Sequence, residues 1–286
     1  HRLQVDLNHH LSINWNGSIC WSKSTLELQE YVKCLTEWGY PVRIINRKEA
    51  LALEPRLSLP RSIFAYSEVE GSLCPVTVSN QMLAAAIDIG ADVCSDTVIG
   101  LDASSGSISS VQTTSGSLSA DYVILAAGIE SIPIARSLGI ELEINGVPGL
   151  LAHSKPVKPI LNRLVLSPTI HMRQNIDGRI VVGKDFNASE ITTNQTNDAH
   201  NLLTSAADLI NCVNKIPFSH STLGLRPIPA DGHPIIGPVK SINGLYLTVM
   251  HSGITLAAIV GRLVAQEITT DINAKILTPY RLDRFD

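Results

Sequence analysis

The chain has 286 residues, 44% of them hydrophobic and 17% charged, with a formal net charge of −4. That length holds one large domain or two modest ones, and the composition buries a sizeable core. Scattered Lys and Arg with no basic, aromatic-interleaved run argue against a nucleic-acid partner, and every apolar stretch falls short of the ~18 residues of a membrane helix.

The opening "HRLQVDLNHH" has neither an initiator Met nor a signal peptide, and reads as the middle of a longer polypeptide or as a processed product. His9 and His10 stand without further ligands and read as surface residues, so no metal is expected. "SINWNGSICW" predicts a strand pair turning at Asn16-Gly17. Ser24 and Glu27 have capping-box spacing, and Leu28, Tyr31, Val32, Leu35 and Trp38 follow helical periodicity. Gly39 then supplies a C-cap and Pro41 prevents continuation. A short strand, "VRII", leads into a second helix over "NRKEALALEP".

A helix is predicted from Val76 to Ala91. After it, "DVCSDTVIGLDASSGSISSVQTTSGSLSADYVILAAG" reads as a strand, a meander with Ser/Gly turns, and a last strand. Ile108, Val111 and Leu118 favour hairpins over a linker here. The apolar run Tyr122 to Ala127 stops at Gly128. It predicts a strand buried on both faces of a parallel sheet, ending where a glycine lets a cofactor approach the backbone. Glu141 to Thr222 mixes the strands "LAHSKPV", "IHMRQ" and "RIVVGKDF" with a helix near Asp198 to Val213.

The last region gives "GLRPIPADGHPIIGP", a strand "GLYLTVM" and the helix "HSGITLAAIVGRLVAQEI". Ile254, Ala257, Ala258, Gly261, Leu263, Val264 and Ile268 predict a buried body for that helix. The five cysteines (20, 34, 74, 94 and 212) are odd in number and contain no C-x-x-C pair. They read as buried thiols of a reducing compartment, which places the chain in the cytoplasm. G-x-S-x-G, H-E-x-x-H and P-loop motifs are absent, so hydrolase, zinc and triphosphatase readings lack support.

Arg226 is either a surface arginine or a guanidinium presented from a backbone stiffened by Pro227 and Pro229. Ser252 reads as an N-cap, and the N–H groups beyond it suit a group that becomes negative. His171 is a hydrogen-bonded core residue or a ligand contact. Arg173 projects to the same strand face, solvated or as a second polar anchor.

In this order the elements resemble the D-amino-acid oxidase-like FAD-dependent oxidoreductases, the group that includes glycine oxidase, sarcosine oxidase and related amine dehydrogenases. The GLRP-x-x-x-DG-x-P-x-IG and H-S-G-x-T-L blocks carry the resemblance, which covers nearly the whole chain. It implies an α/β (mixed α+β) fold with two chain-discontinuous domains. Residues 74–140 and 223–286 would form a partial Rossmann-like FAD-binding domain, and 1–73 and 141–222 an antiparallel-sheet substrate domain.

The implied cofactor is FAD, and the implied reaction is oxidation of an amino acid or secondary amine by hydride transfer to flavin N5. By resemblance Arg226 pairs with the substrate carboxylate, and His171 takes a position where relatives often carry a substrate-facing Tyr. FAD contacts are implied at Val98, Ala126, Ala127, Gly128, Gly224, His251, Ser252, Gly253, Ile254 and Thr255. The family's opening G-x-G-x-x-G turn has no counterpart, because no two glycines stand two apart. Roughly the first quarter of the enzyme is therefore expected upstream of His1, with a complementing N-terminal segment or partner chain completing the FAD site. The rival expectations are a non-catalytic, partner-binding product, and oxidation of a hydroxy acid or glycerol phosphate.

Overall fold

The computed structural model describes residues 2–7, 10–58, 60–184, 194–211, 216–270 and 272–286. Up to Asp88 it contains α1 (Arg2–Leu7), β1 (Ile13–Asn14), β2 (Ser18–Cys20), α2 (Thr25–Glu37), β3 (Arg43–Asn46), α3 (Arg47–Leu53), β4 (Ile63–Ser67), β5 (Ser72–Leu73) and α4 (Pro75–Asp88). Next come β6 (Val98–Ser104), β7 (Ser107–Thr113), β8 (Gly116–Ser119), β9 (Val123–Leu125), a 3-10 turn at Gly128–Glu130 and α5 (Ser131–Arg136). They are followed by β10 (Ile144–Ser154), β11 (Leu164–Leu166), β12 (Ile170–Gln174), β13 (Ile180–Lys184) and α6 (Gln195–Leu209). The chain closes with β14 (Phe218–Pro229), β15 (Ile235–Pro238), β16 (Leu245–Val249), α7 (Gly253–Thr270) and two 3-10 turns.

Two compact units result: Ile89–Val147 with Leu225–Asp286, and Arg2–Asp88 with Pro148–Gly224. The sequence division at 73/74 assigns α4 to the FAD-side segment, whereas here it belongs with Arg2–Asp88. Gln81 of α4 holds it there, accepting from Ser12 N–H and donating to Ser12 Oγ, both at 2.9 Å. The other unit borders lie inside β10 and β14, not at 140/141 and 222/223.

Local signals explain α2 well. Ser24 Oγ accepts from Glu27 N–H at 3.2 Å, and the Glu27 carboxylate reaches back to Lys23 N–H instead of that of Ser24. At the far end Gly39 takes φ 77°, and Tyr40 and Gly39 N–H bond Leu35 and Thr36 carbonyls, a Schellman closure. The hairpin expected at Asn16-Gly17 does not form. Strand β1 pairs with β5, and β2 pairs with β4 and, in parallel, with β11. Distant partners take the turn's polar groups: Gly17 N–H bonds Glu70 O, and Leu164 N–H bonds Gly17 O. The bend therefore moves the chain between sheets.

In the Arg2–Asp88/Pro148–Gly224 unit the main sheet follows the order β14-β10-β13-β12-β11-β2-β4-β3. One face builds the core, with Phe64, Val165, Ile170, Met172 and Val182 packed on Ala199, Leu202, Leu203 and Ala206 of α6. Of the cysteines expected to be buried thiols, Cys94 is exposed and Cys20, Cys34 and Cys74 are half-buried; all four are free, and Cys212 lies outside the described residues. His10 is exposed, and His9 also lies outside the described residues. No helix among the described residues is long and apolar enough to cross a membrane.

The other unit is layered around the sheet β15-β16-β9, in which β9 runs parallel to β16. On one side Leu125, Ile235, Leu245 and Leu247 pack against Leu101, Ile108 and Ile134 of the β6–β8 meander and α5. The Ser105-Gly106 turn of that meander has φ 52° and 76°, the two left-handed residues of a type I′ hairpin. On the other side Ile236 and Tyr246 meet Val260 and Val264 of α7. A buried Glu267–Arg281 ion pair with the Tyr246 hydroxyl clamps α7 to this sheet.

Two expectations of burial fail here. Ile124 in the middle of β9 is 49% exposed, and on α7 Ile254 is 47% exposed, with Ala258 and Gly261 exposed as well. The reason is coverage: α7 packs on β15 and β16, and β9 is the edge strand.

Candidate active site

In the unit built on β9 and α7, the strand leads to Ala126 and Ala127, both exposed, and then to Gly128. Gly128 has φ 60°, and an added Cβ would meet only Pro227, at 3.9 Å. This left-handed position turns the chain at the strand end and keeps it open to a ligand. Arg226 is half-buried in β14. It lies near enough to His251 that burial and then the Arg226 charge hold that imidazole below its ordinary pKa.

His251 Nδ1 lies 2.7 Å from Ser252 Oγ. The reading of Ser252 as a side-chain N-cap is corrected by this contact. Its backbone sits at φ 61°, an uncommon conformation for a residue with a Cβ. Its hydroxyl turns to His251, while its carbonyl accepts from Leu256 N–H at 3.0 Å. Among the described residues no side chain caps the first N–H groups of α7. Gly253, Ile254 and Thr255 are exposed, and nothing lies within 4 Å of an added Gly253 Cβ. An uncapped N-terminus of an 18-residue helix attracts acceptors that gain negative charge.

These features fit the flavin end of FAD, whose N1–C2=O edge offers such acceptors. The pyrophosphate end is different: the 286 residues contain no glycine-rich turn to hold it. Val98 opens β6 opposite Thr113, at the surface. Gly224 is exposed in β14 and belongs to the other unit.

In that other unit β12 alternates strictly, sending Ile170 and Met172 into the core and His171 and Arg173 to the opposite face. The imidazole of His171 lies across its strand partner Gly183. A Cβ added there would overlap both His171 Nε2 and the Leu151 side chain. One row along, Arg173, Val181 and His153 stand in register on β12, β13 and β10.

His153 stacks on His220, with ring centroids 4.4 Å apart and planes 5° apart, and its Nε2 lies 3.0 Å from Thr222 Oγ1. Burial, then the His220, Arg173 and Arg179 charges, lower its pKa. Sequence reading missed this pair. Each histidine is a lone residue on its own strand, and only the β10–β14 adjacency joins them. Thus Gly128, Arg226, Pro227, His251 and the start of α7 share one unit, while His171, Arg173 and Gly224 belong to the other.

Residues 1–267 match the family model described as DAO, FAD dependent oxidoreductase. The chain is 35% identical over 149 residues to glycine oxidase of Pseudomonas aeruginosa, covering 51% of this chain and 41% of that protein. It is 26% identical over 276 residues to glycine oxidase of Geobacillus kaustophilus, covering 94% of this chain and 73% of that one. The crystal structure of the latter superposes with a TM-score of 0.85 at 22% identity, over 98% of this chain and 79% of that chain, which shows the shared fold. A family match across residues 1–267 settles membership: the chain belongs to the DAO family of FAD-dependent oxidoreductases.

Proposed function

We propose that this chain is the larger part of an enzyme that oxidises an amino acid or secondary amine with FAD. The observation that carries the reading is Arg226 beside His251, at the foot of an uncapped helix start. When bound, FAD supplies a two-electron acceptor for the substrate's α-hydrogen, delivered as hydride, and the imine product then hydrolyses. Arg226 pairs its planar fork with the substrate carboxylate. The N–H groups of Gly253, Ile254 and Thr255 would hold the flavin's pyrimidine edge and stabilise negative charge there. A neutral His251 packs there without adding a competing cation. His171, whose imidazole lies across Gly183, is the further substrate contact that the resemblance implies.

By the resemblance, the backbone of Ala126, Ala127 and Gly128 would hold the dinucleotide side of FAD and Val98 would meet the adenine. The likeness to proteins named glycine oxidase supports an amine substrate. The pyrophosphate turn is supplied by a complementing strand–turn–helix segment or partner chain seated at the free edge of β9. Absorption spectra test this reading. The chain alone should be colourless and gain flavin bands only with the complementing segment, and anaerobic amino acid should then bleach them. Stoichiometric, tightly bound FAD in the chain alone overturns the need for complementation. Bleaching by hydroxy acids but by no amine overturns the substrate class.

A further inference from the structure

We infer that Ser252 is a positioning residue: it fixes the His251 imidazole as the tautomer whose Nε2 accepts a hydrogen bond from the substrate amine. This rests on the amine-oxidation reading above and adds to it the group that recognises the amine. The backbone of Ser252 lies at φ 61°, where a residue with a Cβ is uncommon and glycine sits easily. In the extended conformation usual before a helix, its hydroxyl would cap the first N–H groups of α7. Instead Ser252 Oγ lies 2.7 Å from His251 Nδ1. A strained backbone persists only where its surroundings impose it, and such positions gather at ligand sites. Here both the side-chain cap and the relaxed backbone are given up for a contact with the imidazole.

The imidazole stands where two strands end. Leu247 of β16 and Leu125 of β9 are parallel partners, and His251 and Gly128 follow them by four and three residues. A Cβ added at Gly128 would meet the Pro227 side chain at 3.9 Å, so the Arg226–Pro227 segment reaches the same strand ends. Sheets of this kind bind ligands beyond the carboxyl ends of their parallel strands. All of these residues fall in one unit. With the substrate carboxylate on Arg226, the adjacent α-amine comes beside His251. Burial, and then the Arg226 charge, hold His251 below its ordinary pKa, so the ring stays neutral and keeps one acceptor nitrogen. Ser252 Oγ, accepting from Nδ1–H, makes Nε2 that acceptor. A neutral primary or secondary amine still carries an N–H to donate to it, and a neutral tertiary amine carries none. Selectivity for amines that keep an N–H follows.

Two measurements on the protein with its complementing segment and FAD test this. Nitrogen NMR with labelled histidine reads the tautomer. His251 should carry its proton on Nδ1, and Ser252→Gly, which takes the same backbone without strain, should mix the two tautomers. A proton on Nε2 in the native protein, or a single tautomer that survives Ser252→Gly, overturns the positioning role. Anaerobic flavin bleaching is then followed with sarcosine and with N,N-dimethylglycine. The rate ratio of the first to the second should fall about tenfold in His251→Phe, the scale of one hydrogen bond. It should fall part of the way in Ser252→Gly, and His251→Gln, which offers an amide acceptor, should recover part of the loss. An unchanged ratio in His251→Phe or in Ser252→Gly sinks the amine contact alone. Bleaching of the native protein by neither amine sinks the amine-oxidation reading, and the contact falls with it.

Discussion

On the proposed function, Arg226 is the single residue on which substrate binding depends. A substrate carboxylate entering a pocket dry enough for hydride transfer is costly unless paired. Arg226→Leu should therefore remove about 2–5 kcal/mol of interaction, a loss of roughly thirty- to several-thousand-fold in kcat/KM. Uncharged amines should lose much less, because they bring nothing for the guanidinium to hold. The measurement is the kcat/KM ratio of a carboxylated to an uncharged amine, in native and variant protein with FAD restored. An unchanged ratio assigns Arg226 to structure and removes the amino-acid reading. Arg226, His251 and Gly253 stand out in the sequence because two short local blocks carry them, and all three fall in one unit. The left-handed backbone of Ser252 does not, because its hydroxyl turns to His251 through a conformation that residue identity disfavours. Nor does the cross-strand seat of His171 on Gly183, which depends on register.

Where elements join, Glu54 shows how a buried carboxyl couples packing to pH. It caps the end of α3 at 1% exposure and accepts from Asn162 N–H at 2.7 Å, tying α3 to the segment that leads into β11. Burial pushes its pKa up to about 7, against the opposing pull of the Asn162 and Arg163 donors. The folded value exceeds the unfolded one, so the fold prefers the neutral acid. That contribution is fully present below about pH 4.5 and is lost as pH rises through 7, at a cost of about 3 kcal/mol at most. Glu54→Gln keeps an acceptor for Asn162 and removes the titration. Thermal melts at pH 5 and pH 8 should show a Tm drop in the native protein that the variant lacks, and equal slopes would assign the drop to another group. Helix α2 was readable because its caps and periodicity are local. The Asn16-Gly17 bend was misread because a turn signal reports a change of direction and not which strand receives the chain.

For the molecule as a whole, the exposed apolar surface of the β9–α7 unit sets the behaviour in solution. Among the described residues strand β9 is an edge of its sheet, and an edge presents backbone groups that a further strand can pair. Tyr122, Ile124, Ile254 and Ile259 are each about half exposed. Burying an apolar side chain fully is worth about 1.5–3 kcal/mol, so covering these four offers on the order of 3–6 kcal/mol. Alone, that corresponds to association in about the millimolar range. Tight complementation therefore needs more, and FAD can supply it by binding the added segment and the start of α7 together. The chain by itself should self-associate or aggregate as concentration rises. With the complementing segment it should become a defined species, and FAD and segment should each raise the affinity of the other by the same factor. Light scattering across a concentration series, with and without segment and FAD, measures both effects. A stable, well-behaved monomer of the chain alone at high concentration would show that this surface needs no cover, and the complementation reading would fall with it.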